Sequence, residues 1–244
     1  MRYLILSDIH SNLEGLTAVL EAAKGRYDTI CCLGDIVGYG ADPNAVTEWV
    51  RDHCAAVIRG NHDKTCCGLE EPVYFNPAAR AAVEWTVDAL SETNRDYLRA
   101  LPQGPFTLDN FTMVHGSLLD EDEYLIDASE ATPQLEAANG RLVFFGHTHV
   151  QGGFFVDPPK TPAGKSARFP VDEMQLEQGV SYLINPGSVG QPRDLIWQAA
   201  YALYDSEKRV LAYGRCEYDV EAAQAKIRAV GLPEPLAARL SLGR

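Results

Sequence analysis

Ala55-Ala56-Val57-Ile58-Arg59-Gly60-Asn61-His62-Asp63 is an apolar run that stops near a glycine and then presents an Asn and a His side by side. The run has the length of a buried strand. Gly60 permits a sharp turn, so both polar side chains can enter one cavity. An Asn carbonyl oxygen is a hard metal ligand, and an adjacent His can handle a proton. The bland alternative is a satisfied turn at a strand end. Four other stretches repeat the pattern: Asp8-Ile9-His10, Gly34-Asp35, His115, and Gly146-His147-Thr148-His149. Each follows a short apolar run. Five of the six histidines fall in these motifs, which scattered core histidines would not do.

Working outward, residues 2–6 read as a strand that delivers Asp8 and His10. Leu13, Leu16, Leu20 and Ala23 recur at helical spacing behind Asn12, a helix-capping residue. Residues 29–33 form a second strand ending at Asp35. Asp42-Pro43 opens a helix to about residue 52. With the strand at 55–58, the first third is β-α-β-α-β, which implies parallel neighbours joined by right-handed crossovers. In such sheets ligands collect at the carboxyl ends of the strands. Residues 64–104 read as a helical insertion, with helices opening at Asn76-Pro77 and Ser91. Hairpins are expected around residues 109–110 and 205–206, a helix over 129–138 and a strand over 142–145. An acidic loop at 118–127 reads as a solvated face, and 157–170 as an exposed Pro-rich loop. The whole chain, 1–244, reads as one domain.

The formal net charge of the 244-residue chain is -13. An acidic surface with no basic stripe argues against long nucleic acid as a partner. Two divalent ions would return roughly four charges. Cys31, Cys32, Cys54, Cys66, Cys67 and Cys216 make neither a disulfide framework nor a zinc ribbon, and read as packing thiols. The N-terminal apolar run is too short for a leader or a membrane span, so a cytoplasmic location with no membrane partner is expected.

Asp8 and His10 alternate along an extended segment and point the same way, as do His147 and His149. Asp35 can bridge two cations through its two oxygens. Asp, His and Asn donors without thiolate favour Mn, Fe or Zn. Two such ions about 3.5–4 Å apart clamp an in-line attack at phosphorus.

Together the five motifs, in this order, resemble those of the calcineurin-like metallophosphoesterase superfamily. Asn185-Pro186-Gly187-Ser188 and Gln191-Pro192-Arg193 are similar to its small bacterial phosphodiesterase-type members. The resemblance implies an α/β fold, a four-layer α-β-β-α sandwich of two mixed sheets with flanking helices. It implies two divalent metal ions, Mn foremost with Fe, Zn, Ni or Co as alternatives. Asp8, His10, Asp35 and His149 would hold one; Asp35, Asn61, His115 and His147 would hold the other. A hydroxide between them would attack phosphorus, and His62 would serve the leaving oxygen. Arg59 is a candidate phosphate contact, with a surface ion pair as the alternative; Arg193 is another of the same kind.

The protein Ser/Thr phosphatases of the superfamily carry Asp-Arg-Gly where this chain has Gly38-Tyr39-Gly40. That disfavours a phosphoprotein substrate and leaves His62 without an assigned partner; Asp63 beside it can be purely structural. The expected activity is hydrolysis of a small phosphodiester or nucleotide. A phosphomonoesterase, a dinucleoside polyphosphate hydrolase, a nuclease and a non-catalytic metal-binding scaffold are the alternatives. His53, near a helix end, needs no catalytic role.

Overall fold

The computed structural model describes residues 1–156 and 173–244, so the loop expected at 157–170 lies outside the described residues. From the N-terminus come β1 (Arg2–Leu6), α1 (Leu13–Ala23), β2 (Thr29–Cys32), α2 (Pro43–His53) and β3 (Ala56–Val57). Next are α3 (Asn61–Cys66), α4 (Pro77–Ala89), α5 (Glu92–Ala100), β4 (Phe106–Leu108), β5 (Phe111–Met113), α6 (Ala128–Ala138) and β6 (Leu142–Phe144). The chain continues through β7 (Gly152–Val156), β8 (Met174–Gln175), β9 (Ser181–Asn185), β10 (Ala199–Asp205) and β11 (Val210–Cys216). It ends in α7 (Val220–Ala229), α8 (Glu234–Ala238) and a 3-10 turn at Arg239–Leu242.

Two mixed sheets result, in the orders β3-β2-β1-β10-β11-β8 and β4-β5-β6-β9-β7. The expected β-α-β-α-β unit is present, with β1 parallel to β2 and β2 parallel to β3. Strand alternation shows why the sheets stack. Leu4, Leu6 and Cys32 face the helical layer that includes α1, α2, α4 and α7, whereas Tyr3, Ile5, Cys31 and Leu33 face the second sheet. In that sheet Leu142, Phe144, Tyr182 and Ile184 point back at the first, whereas Val143 and Leu183 meet α6. Successive side chains point to opposite faces, so a strand apolar on both faces must be covered twice. Applied to both sheets, this gives the four layers α-β-β-α. Each fully buried Leu or Phe contributes about 1.5–3 kcal/mol, so the layering is driven by these alternating strands.

Helix starts follow their caps. Asn12, Asn76 and Ser91 accept from the backbone N–H of Gly15, Ala79 and Asn94. Asp42 is the exception. It stands at the N-cap of α2 but makes no side-chain cap bond; its carboxylate pairs with Lys226 of α7 at 2.8 Å. Among the described residues no helix is long and apolar enough to cross a membrane.

The topology positions the site. β1, β2 and β3 run parallel in one sheet, and β5, β6 and β9 in the other. Their carboxyl ends release Asp8, Asp35 and Asn61 from the first sheet and His115, His147 and His149 from the second.

Candidate metal centre

The loops that follow these strands turn tightly. Asp8, His10, Asp35, His147 and His149 all have positive φ, between 49° and 64°. Non-glycine residues rarely adopt that region, at a cost of about 1–3 kcal/mol each. Their concentration on one wall indicates that side-chain direction there outweighs backbone comfort.

The structure brings the expected ligand positions together. Asp8, His10, Asp35 and His149 form one buried donor group, and Asp35, His115 and His147 a second, with donor atoms in each group within 4.8 Å of one another. Asp35 belongs to both. Its Oδ2 lies 3.5 Å from His10 Nε2 and 3.4 Å from His115 Nε2. Asn61 Oδ1 is 3.3 Å from His115 Nε2, which places the amide with the second group. The carboxylates are themselves held. Ser7 Oγ–H donates to Asp8 Oδ2 at 2.6 Å, and the His62 backbone N–H donates to Asp35 Oδ1 at 2.9 Å.

Whether these residues fit a metal follows from their second nitrogens. His10 Nδ1 donates to the Val37 carbonyl at 2.9 Å, and His149 Nδ1 to the Gln191 carbonyl at 2.6 Å. Carbonyls only accept, so both rings carry their proton on Nδ1 and offer lone pairs at Nε2. Burial holds both rings well below the usual histidine pKa, hence neutral. Yet the two Nε2 atoms face each other at 3.1 Å, with Asp8 Oδ1 3.3 Å from His149 Nε2. Opposed lone pairs beside carboxylates repel unless a cation lies among them, so the donor set fits a divalent metal. At the second group burial is outweighed by Asp35, which raises His115 to about 10. The proton on that ring sits where a cation would replace it.

His147 uses the opposite tautomer. Its Nε2–H donates to the Asp122 carbonyl at 3.1 Å, which leaves Nδ1 for the metal. The acidic loop is solvated at Leu119, Asp120, Ile126 and Asp127, as expected, but it also reaches the site. Lys64, buried on α3, grips it through Asp122 at 2.5 Å and Glu121 at 3.3 Å, and also holds Glu70 at 2.8 Å. Tyr124 lies over His147, ring centres 3.8 Å apart. The acidic run of this loop was legible, but its role depends on a backbone carbonyl that any residue type supplies.

His62 occupies the first turn of α3, a short helix with no apolar periodicity to announce it. Its ring packs against Tyr39, Phe75 and His10, with centroids 4.4, 4.7 and 4.8 Å away. Gly38 makes this possible, because a Cβ there would collide with the imidazole. Thus the first residue of Gly38-Tyr39-Gly40 provides space where the phosphatases carry an aspartate. His62 Nδ1 is buried without a hydrogen-bond partner. Burial lowers the ring to about 4, against the pull of Asp35, so it is neutral near pH 7.

Asp63 is structural. Its Oδ1 accepts from Ile36 and Val37 N–H, and its Oδ2 from Gly60 N–H at 3.0 Å, tying the loop after β2 to the start of α3. Gly60 in turn must be glycine, because a Cβ would strike Asp35. Asp63→Ala leaves these buried N–H groups unpaired, at about 1–3 kcal/mol each. A loss of at least about 3 kcal/mol in urea unfolding is expected; a loss below 1 kcal/mol would contradict the role.

The two arginines part company. Arg59 turns to Glu121 at 3.0 Å and to Gln103 at 3.2 Å, an ion pair as in the second of its two readings. Arg193 donates to the Tyr39 hydroxyl at 3.3 Å and to Gln191 Oε1 at 3.0 Å, and its guanidinium lies 5.7 Å from the Tyr39 ring centre. Its Nε is buried without a partner.

An α-β-β-α sandwich with a buried Asp and His cluster, joined by a half-buried Asn, at facing strand ends is the architecture of a metallophosphoesterase. The chain belongs to the calcineurin-like phosphoesterase superfamily, whose domain matches residues 1–209. It is 37% identical over 253 residues to an uncharacterised protein of Methanocaldococcus jannaschii, covering 98% of this chain and 97% of that protein. It is 39% identical to a metallophosphoesterase from Sphaerobacter thermophilus, whose crystal structure matches with a TM-score of 0.86 over 100% of this chain and 99% of that one. A hypothetical protein from Pyrococcus horikoshii shares the fold at 21% identity, with a TM-score of 0.79 over 100% and 98% of the two chains.

Proposed function

We propose that this chain is a dinuclear metal-dependent hydrolase of a small phosphodiester or nucleotide. The observation that carries this reading is the shared carboxylate: Asp35 belongs to both buried donor groups. Asp8, His10, Asp35 and His149 would hold one ion, and Asp35, Asn61, His115 and His147 the other. Bound there, the pair supplies charge neutralisation at the phosphate and an activated water. Oxygen and imidazole donors without thiolate suit Mn, with Fe, Zn, Ni or Co as alternatives.

The residues around the centre divide the remaining work. His62, neutral and fixed against Tyr39, offers an N–H to the leaving oxygen. Arg193 brings a guanidinium to the Tyr39 hydroxyl. It therefore supplies from the far end of the chain the positive charge that the phosphatases carry at the Tyr39 position. A guanidinium grips phosphate in a forked geometry.

Protein stripped with a chelator is expected to be inactive and to recover with Mn. On the recovered enzyme, kcat/KM for bis(p-nitrophenyl) phosphate should exceed that for a phosphopeptide by at least about tenfold, or about 1.4 kcal/mol of transition-state preference. Equal activity without metal, or a preference for the phosphopeptide, contradicts the reading.

A further inference from the structure

A cleft of about 380 Å³ opens directly onto the metal centre, and Asn61, His62 and His147 form part of its wall. Since His62 faces it, and His62 is the residue assigned to the leaving oxygen, the leaving group must occupy this cleft. Its lining therefore describes that group.

Four aromatic side chains, Tyr39, Tyr74, Phe75 and Tyr124, stand among the lining residues. Phe75 and Tyr74 stand on the segment before α4, and Tyr124 on the loop over His147. Tyr74 is 93% exposed, and Leu69 and Val73 near it are 46% and 65% exposed. Of these three, Tyr74 lines the cleft, and an aromatic side chain so fully displayed there is available to a ligand. Tyr124 is 44% exposed although its ring rests on His147, so part of it faces the opening.

The charges in the cleft are unusual for a phosphate-processing site. Glu70, Glu71 and Asp122 line it, and Lys64 is its cation. Lys64 is already engaged by Glu70, Glu121 and Asp122. The surplus carboxylates repel a leaving group that carries further phosphate and accept hydrogen bonds from hydroxyl or amino groups. Arg193 lies instead in a second cleft of about 480 Å³ on the other side of Tyr124.

We propose that the cleft binds an uncharged nucleoside as the leaving group of the substrate, its base stacked at Tyr74, Phe75 and Tyr124 and its hydroxyl or amino groups donating to Glu70 and Glu71. The proposal rests on the diester reading above and narrows it. In the reaction, water forms the new bond to phosphorus and the bond from phosphorus to the nucleoside oxygen breaks. One proton ends on the released nucleoside hydroxyl and one goes to solvent, leaving a phosphomonoester behind. Dinucleoside polyphosphates, whose leaving groups are anionic, are disfavoured.

Tyr74 is the residue to test, because it belongs to neither donor group and is almost wholly exposed. Adenosine binding to the Mn-loaded protein is measured by calorimetry, and turnover with a dinucleoside monophosphate and with glycerophosphoethanolamine. Tyr74→Ala is expected to weaken adenosine binding and raise KM for the dinucleotide by about tenfold, the scale of one base stacked on one ring. KM for glycerophosphoethanolamine, which has no base, should not move. Adenosine binding that depends on Tyr74 supports the proposal even where the dinucleotide is not hydrolysed; it is then the diester reading that fails. Adenosine binding that is absent, or unchanged by Tyr74→Ala, overturns the proposal whatever the turnover.

Discussion

Asp35→Asn should empty both metal positions at once and lower kcat/KM by about 10⁴-fold or more, the scale seen when a catalytic unit loses an essential member. The substitution is nearly isosteric. The amide oxygen can still accept the His62 N–H that Asp35 Oδ1 now accepts at 2.9 Å, so the start of α3 is kept. What changes is the other atom. Oδ2 stands 3.5 Å from His10 Nε2 and 3.4 Å from His115 Nε2, between the two donor groups. An amide NH₂ there brings protons and no charge to a point where two cations need a shared anion. His10→Ala is the comparison, because His10 belongs only to the first group. That variant should lose one metal and retain the other. Metal content by elemental analysis and Mn titration by calorimetry read both outcomes. If Asp35→Asn still binds two ions with unchanged affinity, the shared-carboxylate arrangement is wrong.

The contrast between these two variants follows from positions that were readable without coordinates. Each of Asp8, His10, Asp35, Asn61, His115, His147 and His149 follows an apolar run. Parallel β-α-β connection then sends the ends of successive strands to one edge. What holds those side chains in place was not readable. The carbonyls of Leu33, Val37, Asp122 and Gln191 each hold one ring nitrogen of His115, His10, His147 and His149 and so decide which nitrogen faces the centre. A carbonyl leaves no mark on residue type. Long-range pairs escaped for a related reason. Asp42 has the sequence of an N-cap, but its partner Lys226 is 184 residues away, and Arg59 finds Glu121 in a loop that composition alone assigns to solvent. Short elements escaped as well: β8 has two residues, and α3 reads Asn-His-Asp-Lys-Thr-Cys, with too few apolar residues to show a period.

His62→Ala should leave both metals bound and slow the chemical step by about 10²–10⁴-fold, the usual contribution of a positioned proton donor. Removing this ring takes no atom from either donor group, since neither includes it. The Asp35 contact survives too, because it comes from the backbone N–H at position 62. The ring itself is neutral, lowered by burial to about 4, and it is held against Tyr39 in the space that Gly38 leaves open. Its contribution is therefore a hydrogen bond from N–H to the leaving oxygen, not a standing positive charge. That distinction predicts a dependence on the leaving group. An alkoxide of high pKa concentrates charge on the departing oxygen and gains most from that hydrogen bond, whereas p-nitrophenolate spreads its charge and departs readily without it. The loss in kcat should thus approach the upper figure for a dinucleoside monophosphate and stay near or below the lower one for bis(p-nitrophenyl) phosphate. Equal losses on both esters would make His62 a packing residue, and loss of metal would make it a support for the ligands rather than a donor.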